Sequence, residues 1–177
     1  MTARSNGRGR TGRAASALSV FLGLAGCLGV ATADGVPASV VTVATPAAIT
    51  ANPGAEAKAT ISVTVAAGYH ANSNKPSEDY LIPFSLKWED GSLRPVSVTY
   101  PKAQLRKLTF SNRPLSVFTG SFNIVTRFHL PDNAAPGKVD VKGKLHYQAC
   151  DDRSCQPPKT LEVSLPLEIV ERNHGSR

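Results

Sequence analysis

Aromatic residues make up only 6% of this 177-residue chain, and cysteine occurs three times. Ala, Val, Ser, Thr and Pro are plentiful instead, a mix that favours short strands and turns over long helices. Beyond the first thirty-three residues, no segment of ten or more repeats its apolar positions at helical spacing. Nor is there an apolar run near the roughly 20 residues that a membrane-spanning helix needs. No Ser-His-Asp order, phosphate-cradling glycine loop or paired-carboxylate feature stands out, and Asp151-Asp152 reads as a solvated loop. These absences turn attention from hydrolytic and nucleotide chemistry to the cysteines.

The net charge of +7 invites a nucleic-acid reading, but its distribution does not support one. Arg4, Arg8, Arg10 and Arg13 all precede the first acidic residue, Asp34. Removing these four from the 20 basic residues leaves 16 against 13 acidic ones, a formal +3 with no basic cluster. No nucleic-acid partner is expected.

Those arginines belong to a segment read as an export signal over residues 1–33. An Arg-rich start precedes an apolar run from Ala14 to Val30, and Ala31-Thr32-Ala33 offers small residues at a cleavage site. A second site competes with it. Leu24-Ala25-Gly26-Cys27 resembles the lipobox of bacterial lipoproteins, which makes Cys27 a candidate for lipidation and gives a lipid anchor to the membrane. On either reading Cys27 is removed or acylated, and the mature domain keeps an even cysteine pair in an oxidising, extracytoplasmic compartment.

A linker over 34–39 leads into one domain over 40–171, followed by a tail over 172–177. Within the domain the apolar positions have a period of two. Val41 and Val43, then Ile61, Val63 and Val65, alternate with Ser and Thr as half-buried strands do, with a turn at Asn52-Pro53-Gly54. The polar, Asn-rich stretch from Gly68 to Pro76 reads as a surface loop. Phe84, Leu86 and Trp88 alternate next, then Val96, Val98 and Tyr100, and Leu105 to Phe110 reads as another short strand. The longest candidate runs from Val117 to Leu130, with a bend or bulge at Gly120 where the spacing slips. Val139 to Tyr147 and Leu161 to Ile169 complete about eight strands, the pattern of an all-β, immunoglobulin-like antiparallel β-sandwich. The inter-sheet disulfide of immunoglobulins is missing, because the two domain cysteines are too close in sequence to bridge distant strands.

Those two cysteines are Cys150 and Cys155, on the polar stretch Cys150-Asp151-Asp152-Arg153-Ser154-Cys155 that ends at Pro157-Pro158. Such a pair can form a structural hairpin bridge, exchange with a partner thiolate, or contribute to a metal site. A bridge closing a loop of about six residues is worth about 2 kcal/mol by chain entropy, against nearly 5 kcal/mol for a loop of about a hundred. Exchange benefits from a short accessible loop, since an incoming thiolate must reach one sulfur. Arg153 favours a thiolate and Asp151 and Asp152 oppose it, so local charge does not choose between the two sulfurs. His146 lies about 13 Å along an extended strand from Cys150 and reads as an exposed strand histidine. His70, His129, His146 and His174 lack ligand spacing to the pair, so neither a metal nor any other cofactor is expected.

Three stretches carry a resemblance to a family. They are Gly68-Tyr69-His70-Ala71-Asn72-Ser73-Asn74-Lys75-Pro76 with Tyr80-Leu81-Ile82-Pro83, then Val117-Phe118-Thr119-Gly120, then Tyr147-Gln148-Ala149-Cys150 through Cys155-Gln156-Pro157-Pro158. In this order they resemble the amino-terminal periplasmic domain of the thiol:disulfide interchange protein DsbD. The resemblance implies an immunoglobulin-like sandwich whose redox pair, here Cys150 and Cys155, takes reducing equivalents from a thioredoxin-like partner and passes them to oxidised periplasmic proteins. It also implies that Cys155 forms the mixed disulfide, and that Phe118 and Thr119 belong to a cap loop shielding the bridge. Two departures stand out. Four residues separate the cysteines, where the best-known members have five. The stretch Ser116 to Gly120 also lacks the acidic residues and the Tyr of those members. With no membrane conduit following the domain in this sequence, the electron conduit is expected on a separate chain.

Overall fold

A computed structural model describes residues 39–91 and 93–171. The export segment with Cys27 and the tail over 172–177 lie outside the described residues, as does the linker apart from Ser39. The described residues form twelve strands. They are β1 (Val41–Val43), β2 (Ile49–Ala51), β3 (Glu56–Val65), β4 (His70–Asn72), β5 (Ser85–Trp88), β6 (Arg94–Thr99), β7 (Gln104–Arg106), β8 (Leu115–Phe118), β9 (Ser121–His129), β10 (Gly137–Tyr147), β11 (Ala149–Cys150) and β12 (Lys159–Ile169). Among the described residues no helix is long and apolar enough to cross a membrane.

Two four-stranded sheets make an immunoglobulin-like sandwich, one ordered β1-β3-β9-β6 and the other β2-β12-β10-β5. Alternation builds its core. In β3, Ala59, Ile61, Val63 and Val65 are buried while the intervening residues face water, and β12 repeats this with Val163, Leu165, Leu167 and Ile169. Ile61, Val63 and Ile124 share one apolar cluster with Leu86, Leu145 and Val163. Phe128 shares a second with Val141, Leu165 and Leu167. Burying each such side chain contributes about 1.5–3 kcal/mol. Trp88 joins both clusters, donating its indole N–H to Thr126 Oγ1 at 3.0 Å and packing edge-on to Phe128. Across from it in β10, a Cβ on Gly143 would sit 2.8 Å from Trp88 Cε3, so a glycine is required where the ring crosses the strand.

A third sheet, ordered β11-β4-β8-β7, departs from the sequence expectation. The Gly68–Pro76 stretch, expected as a surface loop, contains β4, and His70, Ala71, Asn72 and Ser73 are all buried. Its polar side chains give the stretch the pattern of a loop, yet several of them find partners inside. Asn72 donates to the Ile82 carbonyl and to Gln148, and the Ser73 and Ser116 hydroxyls meet at 2.8 Å. The long run from Val117 to Leu130 divides at Gly120, whose φ of 61° is the left-handed conformation that glycine accepts most readily. β8 joins the third sheet and β9 the sandwich. The strand expected from Leu105 to Phe110 stops at Arg106, and β2 is an addition that pairs parallel to β12.

Candidate functional site

Cys150 and Cys155 are joined by a disulfide, with their Cα atoms 3.9 Å apart. They face each other across a tight antiparallel hairpin. The Asp151 N–H donates to the Ser154 carbonyl at 2.9 Å, and the Gln156 N–H to the Ala149 carbonyl at 2.8 Å. The cysteines therefore occupy the close, non-hydrogen-bonded position between those two rungs. Asp151 shapes the turn, since its Oδ1 accepts the N–H groups of Arg153 at 2.8 Å and Ser154 at 2.7 Å. These hydrogen bonds hold its carboxyl below the usual carboxylate range, with the Arg153 and His70 charges adding to them.

The two sulfur-bearing residues differ in access. Cys150, in β11, is completely buried, whereas Cys155 is half-buried and is flanked on one side by exposed Asp152, Arg153 and Ser154. β11 pairs with β4 so that Cys150 stands opposite His70 and Ala149 opposite Ala71. β4 in turn pairs with β8, with Ala71 opposite Phe118 and Asn72 opposite Val117. Alternation then sorts the side chains. Ala149, Ala71 and Phe118 turn to the sandwich core, while Cys150, His70, Asn72 and Val117 share the opposite face. On that second face Val117 and Leu115 pack with Leu81 and Leu108. Thr109, in the segment joining β7 to β8, donates to the Asp152 carbonyl and ties that segment to the cysteine hairpin.

Phe118 lies in an aromatic group. Its ring stacks on Tyr100 at 6.4 Å and meets Phe84 at 5.6 Å and Phe122 at 4.9 Å. Thr119, the next residue, donates to Gln104 Oε1 at 3.3 Å near the β7 edge. Gln148 is the knot of the site. Its Oε1 accepts from Asn72 Nδ2 at 3.0 Å and from the Ile82 N–H at 3.3 Å, and its Nε2 donates to the Gln156 carbonyl at 3.3 Å. One side chain thus ties β4, the segment before β5 and the chain just past Cys155. His146 lies away from this group, with Nδ1 3.0 Å from Thr160 Oγ1. Among the described residues, no three of His, Cys, Asp and Glu gather as a metal site.

A family model described as the N-terminal domain of the thiol:disulfide interchange protein DsbD matches residues 38–167. The chain belongs to the DsbD N-terminal family. Among solved structures, the N-terminal periplasmic domain of ScsB from Proteus mirabilis aligns with a TM-score of 0.50 and 13% identity, over 76% of this chain and 49% of that one. The chain thus spans about half the length of that structure, and the likeness is one of fold. The seventh ScaB type I cohesin from Pseudobacteroides cellulosolvens aligns with a TM-score of 0.43 and 11% identity, over 77% of this chain and 97% of its own. Comparison with curated proteins gives no match.

The three stretches that carry the DsbD resemblance are far apart in sequence and meet in the third sheet. In the sequence His70 stands as one of several scattered histidines. The available signal was its place two residues after Gly68 in the first of those stretches, and the pairing of that stretch with the cysteine strand gives it meaning. Burial, and after it the Arg106 charge, holds its imidazole below the ordinary histidine range, against the opposing pull of Asp152 and Asp151.

Proposed function

We propose that this DsbD-type domain is an exported thiol–disulfide exchange module, cycling Cys150 and Cys155 between disulfide and dithiol. Reducing equivalents come from a thioredoxin-like donor and pass to oxidised extracytoplasmic proteins. An incoming thiolate attacks Cys155, forms a mixed disulfide there and releases Cys150 as the resolving thiolate. The single observation that carries this reading is the unequal burial of the bridged pair in a family of interchange domains. Cys155 is half-buried at the hairpin edge and Cys150 is completely enclosed. The cap role of Phe118 and Thr119 rests on the resemblance; the Phe118 ring packs on the core face of the third sheet, opposite the face that carries Cys150, and Thr119 donates to Gln104. Cys27 remains the proposed site of a lipid tether.

The contrasting reading is a binding or adaptor sandwich with a purely structural hairpin bridge. The hairpin is already held by two backbone rungs and the Asp151 turn, so a bridge worth about 2 kcal/mol adds little to it. Equilibration with a reduced thioredoxin-fold protein separates the two. Exchange is expected, with a reduction potential above about −300 mV. A lower potential together with no transfer to any thioredoxin-fold protein overturns the exchange reading.

A further inference from the structure

Cys150 has to lose a proton each time it closes the disulfide, yet no part of it reaches solvent. A thiol in such a setting is held in its protonated, unreactive form by the cost of burying a thiolate. The residue directly across the antiparallel pair is His70, itself 2% exposed. Directly opposed residues of an antiparallel pair point to the same face with Cβ atoms about 4.5–5.5 Å apart. The Nε2 atom of His70 is buried and has no hydrogen-bond partner among the described residues. A buried polar atom left in this way costs stability and calls for an explanation. The oxidised pair provides no S–H to bond it; the reduced pair does.

We propose that His70 is the proton acceptor for the Cys150 thiol in the step that closes the disulfide. This rests on the exchange reading of the pair. In the mixed disulfide, Cys155 Sγ is bonded to the partner sulfur and Cys150 carries its proton. His70, in the Nδ1–H tautomer, takes that proton on Nε2. The Cys150 thiolate attacks Cys155 Sγ, the Sγ–Sγ bond forms, and the bond from Cys155 to the partner sulfur breaks. The electron pair leaves on the partner sulfur, which departs reduced as a thiolate, and the imidazolium returns its proton to that thiolate or to solvent. The reverse direction uses the same steps, with the imidazolium protonating the expelled Cys150 thiolate.

The charged groups bearing on His70 are Arg106 of β7 and Asp151 and Asp152 of the hairpin. β4, β8 and β11 add no ionisable side chain besides Cys150. The Asp151 carboxylate is occupied by two backbone N–H groups and Asp152 stands on the exposed turn, so neither competes for the buried proton. Lowered by burial and Arg106, the imidazole is neutral at neutral pH, the form that can accept.

The test follows the reduced protein reacting with the aromatic disulfide 5,5′-dithiobis(2-nitrobenzoate) in a stopped-flow instrument. Attack by Cys155 releases a first thionitrobenzoate, and closure by Cys150 releases the second. The wild-type closing rate is expected to be nearly level between about pH 7 and 8.5, whereas an unassisted thiol gains about tenfold per unit below its pKa. His70→Gln is expected to slow closure by at least about tenfold at pH 7 and to restore the steep profile, leaving the first phase unchanged. Equal rates and profiles in wild type and His70→Gln overturn the proposal. So does a steep profile in the wild type alone, which needs no variant to fold. Loss of exchange with thioredoxin-fold proteins while the level profile stands would overturn the exchange reading and not the role of His70.

Discussion

Cys150 and Cys155 share a bond but not an environment. One is sealed on the edge strand β11 of a small sheet, and the other lies across the hairpin with charged, exposed neighbours. In the proposed exchange, asymmetry of this kind sets the order of events, with the reachable sulfur attacked and the enclosed one leaving. Phe118 is the residue whose surroundings were least visible in the sequence. Alternation places its ring on the core side of the third sheet, among Phe84, Tyr100 and Phe122. Phe118→Ala is therefore expected to lower stability by about 3–5 kcal/mol, read from the denaturant midpoint. A loss below about 1 kcal/mol, accompanied by much faster reduction of the native disulfide by dithiothreitol, would instead mark a detachable lid.

At the scale of elements, the strands of the sandwich were legible because each buries one face and so repeats every second residue. Ile61-Ser62-Val63-Thr64-Val65 and Val163-Ser164-Leu165-Pro166-Leu167 carry this pattern plainly, and each occupies a strand as expected. Gly143 was visible only as an interruption of β10, and its reason is the Trp88 ring lying against it. Gly143→Ala is expected to cost about 1–3 kcal/mol by overpacking, with the thermal midpoint as the readout. An unchanged midpoint would mean that Trp88 moves aside without losing its bond to Thr126. The third sheet escaped sequence reasoning for two physical reasons. β4 is short and buried on polar side chains such as His70 and Asn72, so no apolar period marks it. β8 and β11 are continuations of runs whose other parts, β9 and β10, belong to the sandwich. A change of sheet at Gly120 or Gln148 leaves only a slipped register in the sequence.

At the scale of the molecule, the sandwich buries the two main apolar clusters and the third sheet holds one cysteine of the disulfide. Its strands gather three separated stretches around one disulfide, and Gln148 joins the first and the last of them through hydrogen bonds to Asn72, Ile82 and Gln156. The cysteine pair and its family were legible from sequence because the motif is local. The partnership of Cys150 with His70 was not, because it depends on strand pairing between residues far apart in the chain. The most direct test of the proposed exchange role is trapping in periplasmic extract with the two single-cysteine variants. Cys150→Ser, which retains the accessible Cys155, is expected to accumulate a mixed disulfide with a thioredoxin-like protein, and Cys155→Ser is expected to accumulate none. Capture by Cys155→Ser alone, or by neither variant, would contradict attack at Cys155 as the route of exchange.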